Sequence, residues 1–235
     1  MHPGESDPLV RMFPSYPPPP PDSDVSPAQD DIPGANLTAN HKCGIQEWAA
    51  HGIAGRGILL DFASWAEANG VVAPPFAATN ITFAQLRAVA KHQGLDLRRN
   101  VDGGDIRIGD ILFVRSGFGK AYAALTAAER IALAAAPPGY IGVDQSAEMT
   151  AWIHDSYFAA VAGDQPGFES WPALGPLTLH EQVLSFWGIG LGEFFDLERL
   201  AQLCEKRKKW TFFVTSAPFN VDRGIASWAN AIAIL

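Results

Sequence analysis

Apolar and polar positions follow two rhythms along the chain. Gly57-Ile58-Leu59-Leu60-Asp61-Phe62 and Asp110-Ile111-Leu112-Phe113-Val114-Arg115 are short, nearly unbroken apolar runs, the pattern of strands buried on both faces. Tyr140 to Val143, Phe158 to Ala162, Trp210 to Thr215 and Ala229 to Leu235 read as further strands. Between them the spacing turns helical: Ile45 to His51, Ala147 to Ser156, Leu179 to Trp187, and a segment capped by Asp196 that runs to about Lys208. Thr82-Phe83-Ala84-Gln85 is a capping box that opens a helix to about Gln93, stopped by Gly94. Thr126-Ala127-Ala128-Glu129 opens another, which ends before Pro137-Pro138. Short apolar strands alternating with helices predict an α/β domain whose sheet is covered on its faces. No internal repeat is visible.

Residues 1–40 break this pattern. Pro17 to Pro21 is an unbroken proline run among Ser, Asp and more Pro, a composition that favours an extended arm and cannot build a core. The chain therefore divides into a proline-rich extended or disordered arm, 1–40, and one α/β domain, 41–235. Hydrophobic residues make up 48% of the chain and charged residues 18%, enough apolar surface to fill a sizeable core.

Net charge is −8, which argues against a nucleic-acid partner. The only basic cluster, Lys206 to Lys209, sits where it complements the negative pole of a helix end. No apolar run reaches the length of a membrane span, and the first residues show neither the basic nor the apolar part of a signal peptide. The expected compartment is the cytoplasm. Cys43 and Cys204 are too few for a disulfide framework and form no C-x-x-C pair.

Several segments, in order, resemble the cyclase family of kynurenine-formamidase-like hydrolases, and its fungal branch in particular. They are Gly52 to Asp61 (GIAGRGILLD), Arg107 to Gly117 (RIGDILFVRSG), Ala159 to Asp164 (AAVAGD), Leu179-His180-Glu181, Gly192 to Leu197 (GEFFDL), and the stretch from Trp210 to Leu235. The resemblance covers roughly residues 43–235. It implies an α/β fold with a mixed, barrel-like sheet core wrapped by helices, assembled as a homo-oligomer. It also implies hydrolysis of a small amide or formamide, N-formylkynurenine of tryptophan catabolism being the best-known case, by water activated on a divalent metal, zinc or manganese.

In that family the metal is held by an early H-x-G-T-H-x-D cluster and by a later histidine and glutamate. The later pair maps here onto His180 and Glu193, thirteen positions apart. The early cluster has no counterpart: no H-x-x-x-H-x-D string occurs, and His2, His41 and His51 have no aspartate at the right offset. Two ligands alone bind a metal weakly, so the alternative is a non-catalytic protein that keeps the fold without its metal centre. A third reading, an interaction module working through the proline arm, rests on composition alone.

Other residues have plainer readings. Glu181 fits a first-turn helix carboxylate and His51 a C-terminal cap, although His51 or His41 could serve as a substitute base. His154 beside Asp155 reads as exposed. Asp61 and Asp164 follow strands, where ligand-binding residues gather in α/β folds, though turn formation is the commoner role for Asp164. The glycine-rich stretches Gly52 to Gly57 and Gly188 to Gly192 match no phosphate-loop pattern, and Ser116 lies in no G-x-S-x-G elbow. Trp48, Trp65, Trp152, Trp187 and Trp210 read as packing residues, any one of which could line an aromatic pocket. Catalytic residues are not identified by the sequence.

Overall fold

The computed structural model describes residues 9–11, 45–173, 175, 177–220 and 224–235. The predicted arm lies outside these residues, except for a short strand, β1 (Leu9–Arg11). Helix α1 (Gln46–His51) leads into β2 (Ile53–Asp61), the longest strand, and then α2 (Phe62–Ala68). A two-residue strand, β3 (Asn80–Ile81), precedes α3 (Phe83–His92), and β4 (Ile111–Arg115) precedes α4 (Phe118–Ala124) and α5 (Ala127–Ala135). Then come β5 (Gly142–Val143), α6 (Ala147–Asp155), β6 (Ala160–Gly163), a π-helical turn at Glu181–Phe186, β7 (Gly190–Gly192), α7 (Glu198–Arg207), β8 (Thr211–Ser216) and β9 (Ile232–Ile234).

The main sheet has the order β1-β9-β8-β2-β4-β6-β7. From β2 to β7 neighbouring strands are parallel; from β2 to β1 they are antiparallel. The outermost strands β1 and β7 are not paired with each other, so the sheet is mixed and open, not barrel-like. β7, three residues long, ends the sheet on one side and β1, also three residues long, on the other.

The central strands are buried on both sides, as their continuous apolar runs predict. Ile58, Leu60, Leu112, Val114 and Val161 face a core with Phe62, Leu86, Val89, Met149, Ile153 and Phe168. The alternating residues Leu59, Ile111, Phe113, Ala160 and Ala162 face α7 and β8 through Leu200, Cys204, Phe212 and Val214. This strict alternation makes three layers, helices on either side of the sheet.

Both capped helices form as expected. Thr82 Oγ1 accepts from Gln85 N and Thr82 N donates to Gln85 Oε1; Thr126 and Glu129 repeat the arrangement. Three local differences from the sequence reading have clear causes. The last part of the glycine-rich stretch Gly188 to Gly192 is strand β7, not among the predicted strands, glycine-rich because a Cβ at Gly190 would lie 1.9 Å from the Trp48 ring and one at Gly192 2.5 Å from Phe195. Gly52 caps the end of α1 and Ile53 to Gly57 belongs to β2, where Gly57 makes room for Phe212. The segment after Leu179 winds as a π-helical turn, with Trp187 N bonded to Gln182 O.

Among the described residues, no helix is long and apolar enough to cross a membrane.

Candidate functional site

Four strand ends on one side of the sheet carry charged residues: Asp61 ends β2, Arg115 ends β4, Asp164 follows β6 and Glu193 follows β7. This is the carboxyl edge of the parallel strands, where α/β proteins place their ligands. The first three are consumed by the fold. Arg115 donates from Nη1 to Asp61 Oδ1 (2.6 Å) and, through Nε and Nη2, to both oxygens of Glu198 (2.8 Å each). Burial acts to lower the Arg115 pKa, but Glu198 and Asp61 outweigh it and the guanidinium is held charged. Asp61 Oδ1 also accepts from Ser64 N, capping α2.

Asp164 is not a local turn former. Its carboxylate accepts from Ser116 N and Oγ, Gly117 N and Gly119 N, pinning the start of α4 to the end of β6. Full burial pushes its pKa upward, against the pull of the Ser116 hydrogen bonds.

Glu193 is different. It lines a cavity of about 630 Å³ whose wall is largely apolar, with the rings of Trp48, Phe118, Tyr122, Phe194 and Trp228 among its residues. Of the tryptophans read as packing residues, Trp48 is the one that reaches this cavity. Behind Glu193 stands His180, at the entry of the π-helical turn. Its Nε2 lies 2.8 Å from Glu193 Oε1, and its Nδ1 lies 2.6 Å from Glu169 Oε2. The His180 backbone N–H also donates to Glu169 Oε1. The pair mapped from the sequence is thus brought together, and a third residue that the sequence reading missed completes it.

Glu169 is buried and sits in the Gly167-to-Ser170 segment, which runs beside β5. Gly142 permits that approach, since a Cβ there would fall 2.2 Å from the Glu169 carbonyl carbon. Burial disfavours the Glu169 charge, yet the hydrogen bond from His180 outweighs it and holds the carboxyl below its usual range. The bonds to Glu169 and Glu193 push His180 up to about 10, so at neutral pH the ring is an imidazolium with both N–H groups donating. Burial, with these two carboxylates, pushes the nearby Tyr140 phenol up to about 12.

The remaining sequence candidates lie apart from this cluster. Glu181 forms a capping box with Thr178, as its helix-start position suggested. His154 is exposed and pairs with Asp155. His51 ends α1 and is exposed; His41 lies outside the described residues. Asp196 accepts from Glu198 N, while α7 itself begins after Leu197 without a side-chain cap.

An imidazole with a carboxylate behind it and another carboxylate in front is donor chemistry that a divalent ion accepts. As a metal centre, however, the cluster is incomplete. Both ring nitrogens are engaged, and among the described residues no group of three His, Cys, Asp or Glu side chains could hold an ion. By themselves these residues do not fit a resident zinc or manganese.

No sequence-family model matches the chain, and no curated protein sequence does. Solved structures do. The crystal structure of a novel cyclase matches with a TM-score of 0.65 at 26% identity, over 82% of this chain and 56% of that one. Isatin hydrolase A from Labrenzia aggregata, bound to benzyl benzoate, matches with a TM-score of 0.57 at 14% identity, over 97% and 93% of the two chains. Isatin hydrolase A from Ralstonia solanacearum gives 0.52 at 15%, over 88% and 66%. The fold is therefore that of cyclase-type proteins and isatin hydrolases. The chain spans 56% of the length of the cyclase and 66% of that of the Ralstonia enzyme.

Proposed function

We propose that the chain is a cyclase-family hydrolase of a small aromatic amide, of which formamides of the N-formylkynurenine kind are one member. The observation that carries this reading is the placement of Glu193: one face on this largely apolar cavity of about 630 Å³, the other on His180. The cavity supplies apolar walls for a ring. Glu169 fixes the imidazole so that Nε2 points at Glu193, and Glu193 presents its carboxylate to whatever occupies the cavity.

The family resemblance assigns His180 and Glu193 as ligands of zinc or manganese, and the described residues by themselves do not complete a site for such an ion. The test is turnover of an aryl formamide with added zinc or manganese, in wild type and in His180→Ala. Turnover that requires the ion and drops at least 100-fold in the variant is the expected result; turnover unchanged by His180→Ala overturns the reading.

A second reading, a non-catalytic cyclase-fold protein, is favoured by one observation: both His180 nitrogens are already bonded to carboxylates and no third ligand joins them among the described residues. It expects an aromatic amide to bind without turnover at any metal concentration. A small-molecule substrate and a homo-oligomeric assembly remain part of the leading proposal, the latter checked by light scattering in solution.

A further inference from the structure

The cavity beside Glu193 is one-sided in charge. Among the described residues that line it, Glu193 alone has a carboxylate, and no lysine, arginine or histidine joins it. The neutral polar groups of the lining are turned to the chain around them. Ser216 Oγ donates to Asn230 O, Asn230 Nδ2 donates to Ala217 O, and Ser227 Oγ accepts from Phe219 N. Glu193 is less committed. Its Oε1 lies 2.8 Å from His180 Nε2, and its Oε2 has no hydrogen-bond partner among the described residues. The side chain is 27% exposed, so that oxygen is within reach of a ligand.

His180 does not balance this charge. Its ring stands between two carboxylates, Glu169 on Nδ1 and Glu193 on Nε2. Even with a proton on both ring nitrogens, one carboxylate of the three groups is left without a cation. Other basic groups do not supply it. Lys120 and Arg130 line a neighbouring hollow and not the cavity, and that hollow also holds Asp164, Asp196 and Glu198. Arg130 comes no closer than the ring of Tyr122, with its guanidinium 5.1 Å from the ring centre.

The rest of the wall suits a positive ligand as well. Trp48, Phe118, Tyr122, Phe194 and Trp228 line the same space as Glu193. The faces of such rings are electrostatically negative and attract ammonium groups. A cation that enters an apolar cavity loses its hydration, which is costly unless a carboxylate pairs with it. Glu193 provides that pairing. An anion of the same size would meet the same apolar wall and an unbalanced like charge.

We propose that the cavity is a binding site for an organic cation, an aromatic ring carrying a protonated amine, with Glu193 pairing the ammonium and the apolar wall holding the ring. The inference rests on the cavity being the ligand site, and not on turnover. It specifies the charge of the ligand, which the aromatic amide reading leaves open. Binding is by ion pairing and ring contact alone; no bond is made or broken.

Calorimetric titration of the full chain at neutral pH with three ligands of one size tests this: 2-phenylethylamine, a cation; 2-phenylethanol, neutral; and phenylacetate, an anion. Wild type should bind the amine about tenfold more tightly than the alcohol, and the anion most weakly. Glu193→Gln keeps an oxygen that can accept from His180 Nε2; it should bring the amine to within about twofold of the alcohol and narrow the gap to phenylacetate. Equal affinity of wild type for amine and alcohol, or tightest binding of phenylacetate, overturns the proposal while leaving the cavity reading in place. So does an amine preference that survives in Glu193→Gln. The wild-type comparison decides the matter without the variant, should Glu193→Gln fail to fold. Failure of wild type to bind any of the three overturns the cavity reading and this proposal with it. None of the three is an amide, so the result is independent of whether the chain hydrolyses one.

Discussion

Two clusters in this molecule share one plan, a cation held between two carboxylates, and differ in almost everything else. Arg115 stands between Asp61 and Glu198; His180 stands between Glu169 and Glu193. The Arg115 side chain is 6% exposed, its Nε, Nη1 and Nη2 all donate, and its charge does not change in the physiological range. The His180 side chain is 35% exposed, and an imidazole can give up a proton. One cluster ties β2, β4 and the start of α7 together. The other ends on the wall of a cavity. The same charge arithmetic thus yields a fastener where the cation is permanent and buried, and a candidate site where it is titratable and borders a ligand-sized space.

The sharpest way to break the comparison is at the fastener. Arg115→Met leaves Asp61, 3% exposed, as a buried carboxylate without its cation. Removing one partner of a buried pair in this way costs about 3–5 kcal/mol, because the stranded charge cannot regain water. Urea denaturation should show that loss. Adding Asp61→Asn and Glu198→Gln should recover part of it, since the stranded charges go with their partner. A loss below about 1 kcal/mol for Arg115→Met would mean that the cluster does not fasten the strand ends.

The equivalent change at the second cluster is milder and reads out differently. Glu169→Gln removes the carboxylate behind His180 but keeps an oxygen able to accept from Nδ1. Exchanging a charged acceptor for a neutral one should cost roughly 1–2 kcal/mol. It should also lower the His180 titration midpoint by at least one pH unit, followed by proton NMR of the ring. An unmoved midpoint would show that Glu169 is not what raises it.

These clusters also mark where the sequence is readable. The central strands were legible because a sheet covered on both faces needs continuous apolar runs, as in Ile58 to Leu60 and Ile111 to Val114. Both threonine-led caps were legible because a capping box is written in four consecutive residues. His180 and Glu193 came from an ordered family resemblance, and the structure brings them within 2.8 Å. Glu169 was not legible: its role depends on a loop laid against Gly142, a contact between distant segments with no local spacing rule. Strand β7 was hidden by its glycines, whose reason is the Trp48 and Phe195 rings pressed against them. The open sheet replaced the expected barrel-like one because strand pairing at the rims is likewise a long-range property.

The smallest expected effect concerns pH, and it separates the two cations most cleanly. His180 is raised from the ordinary histidine value of 6.5 to about 10 in the folded chain. A raised pKa means the folded state holds the proton more tightly than the unfolded chain. The resulting stabilisation is fully present below about pH 6.5, declines as pH rises above it, and is lost once pH passes about 10. Glu169, held below the usual carboxylate range, remains ionised across that window, and Tyr140, pushed up to about 12, remains neutral through most of it. Because the His180 side chain is about one third exposed, solvent screening keeps the contribution modest. The measurement is the urea midpoint of wild type and His180→Gln at pH 6, 8 and 10. The advantage of wild type should be largest at pH 6 and shrink towards pH 10. For Arg115→Met the deficit should stay nearly constant over the same range, since the guanidinium stays charged throughout it. If the His180→Gln difference is equally flat, folding does not raise the histidine's pKa and the imidazolium assignment fails.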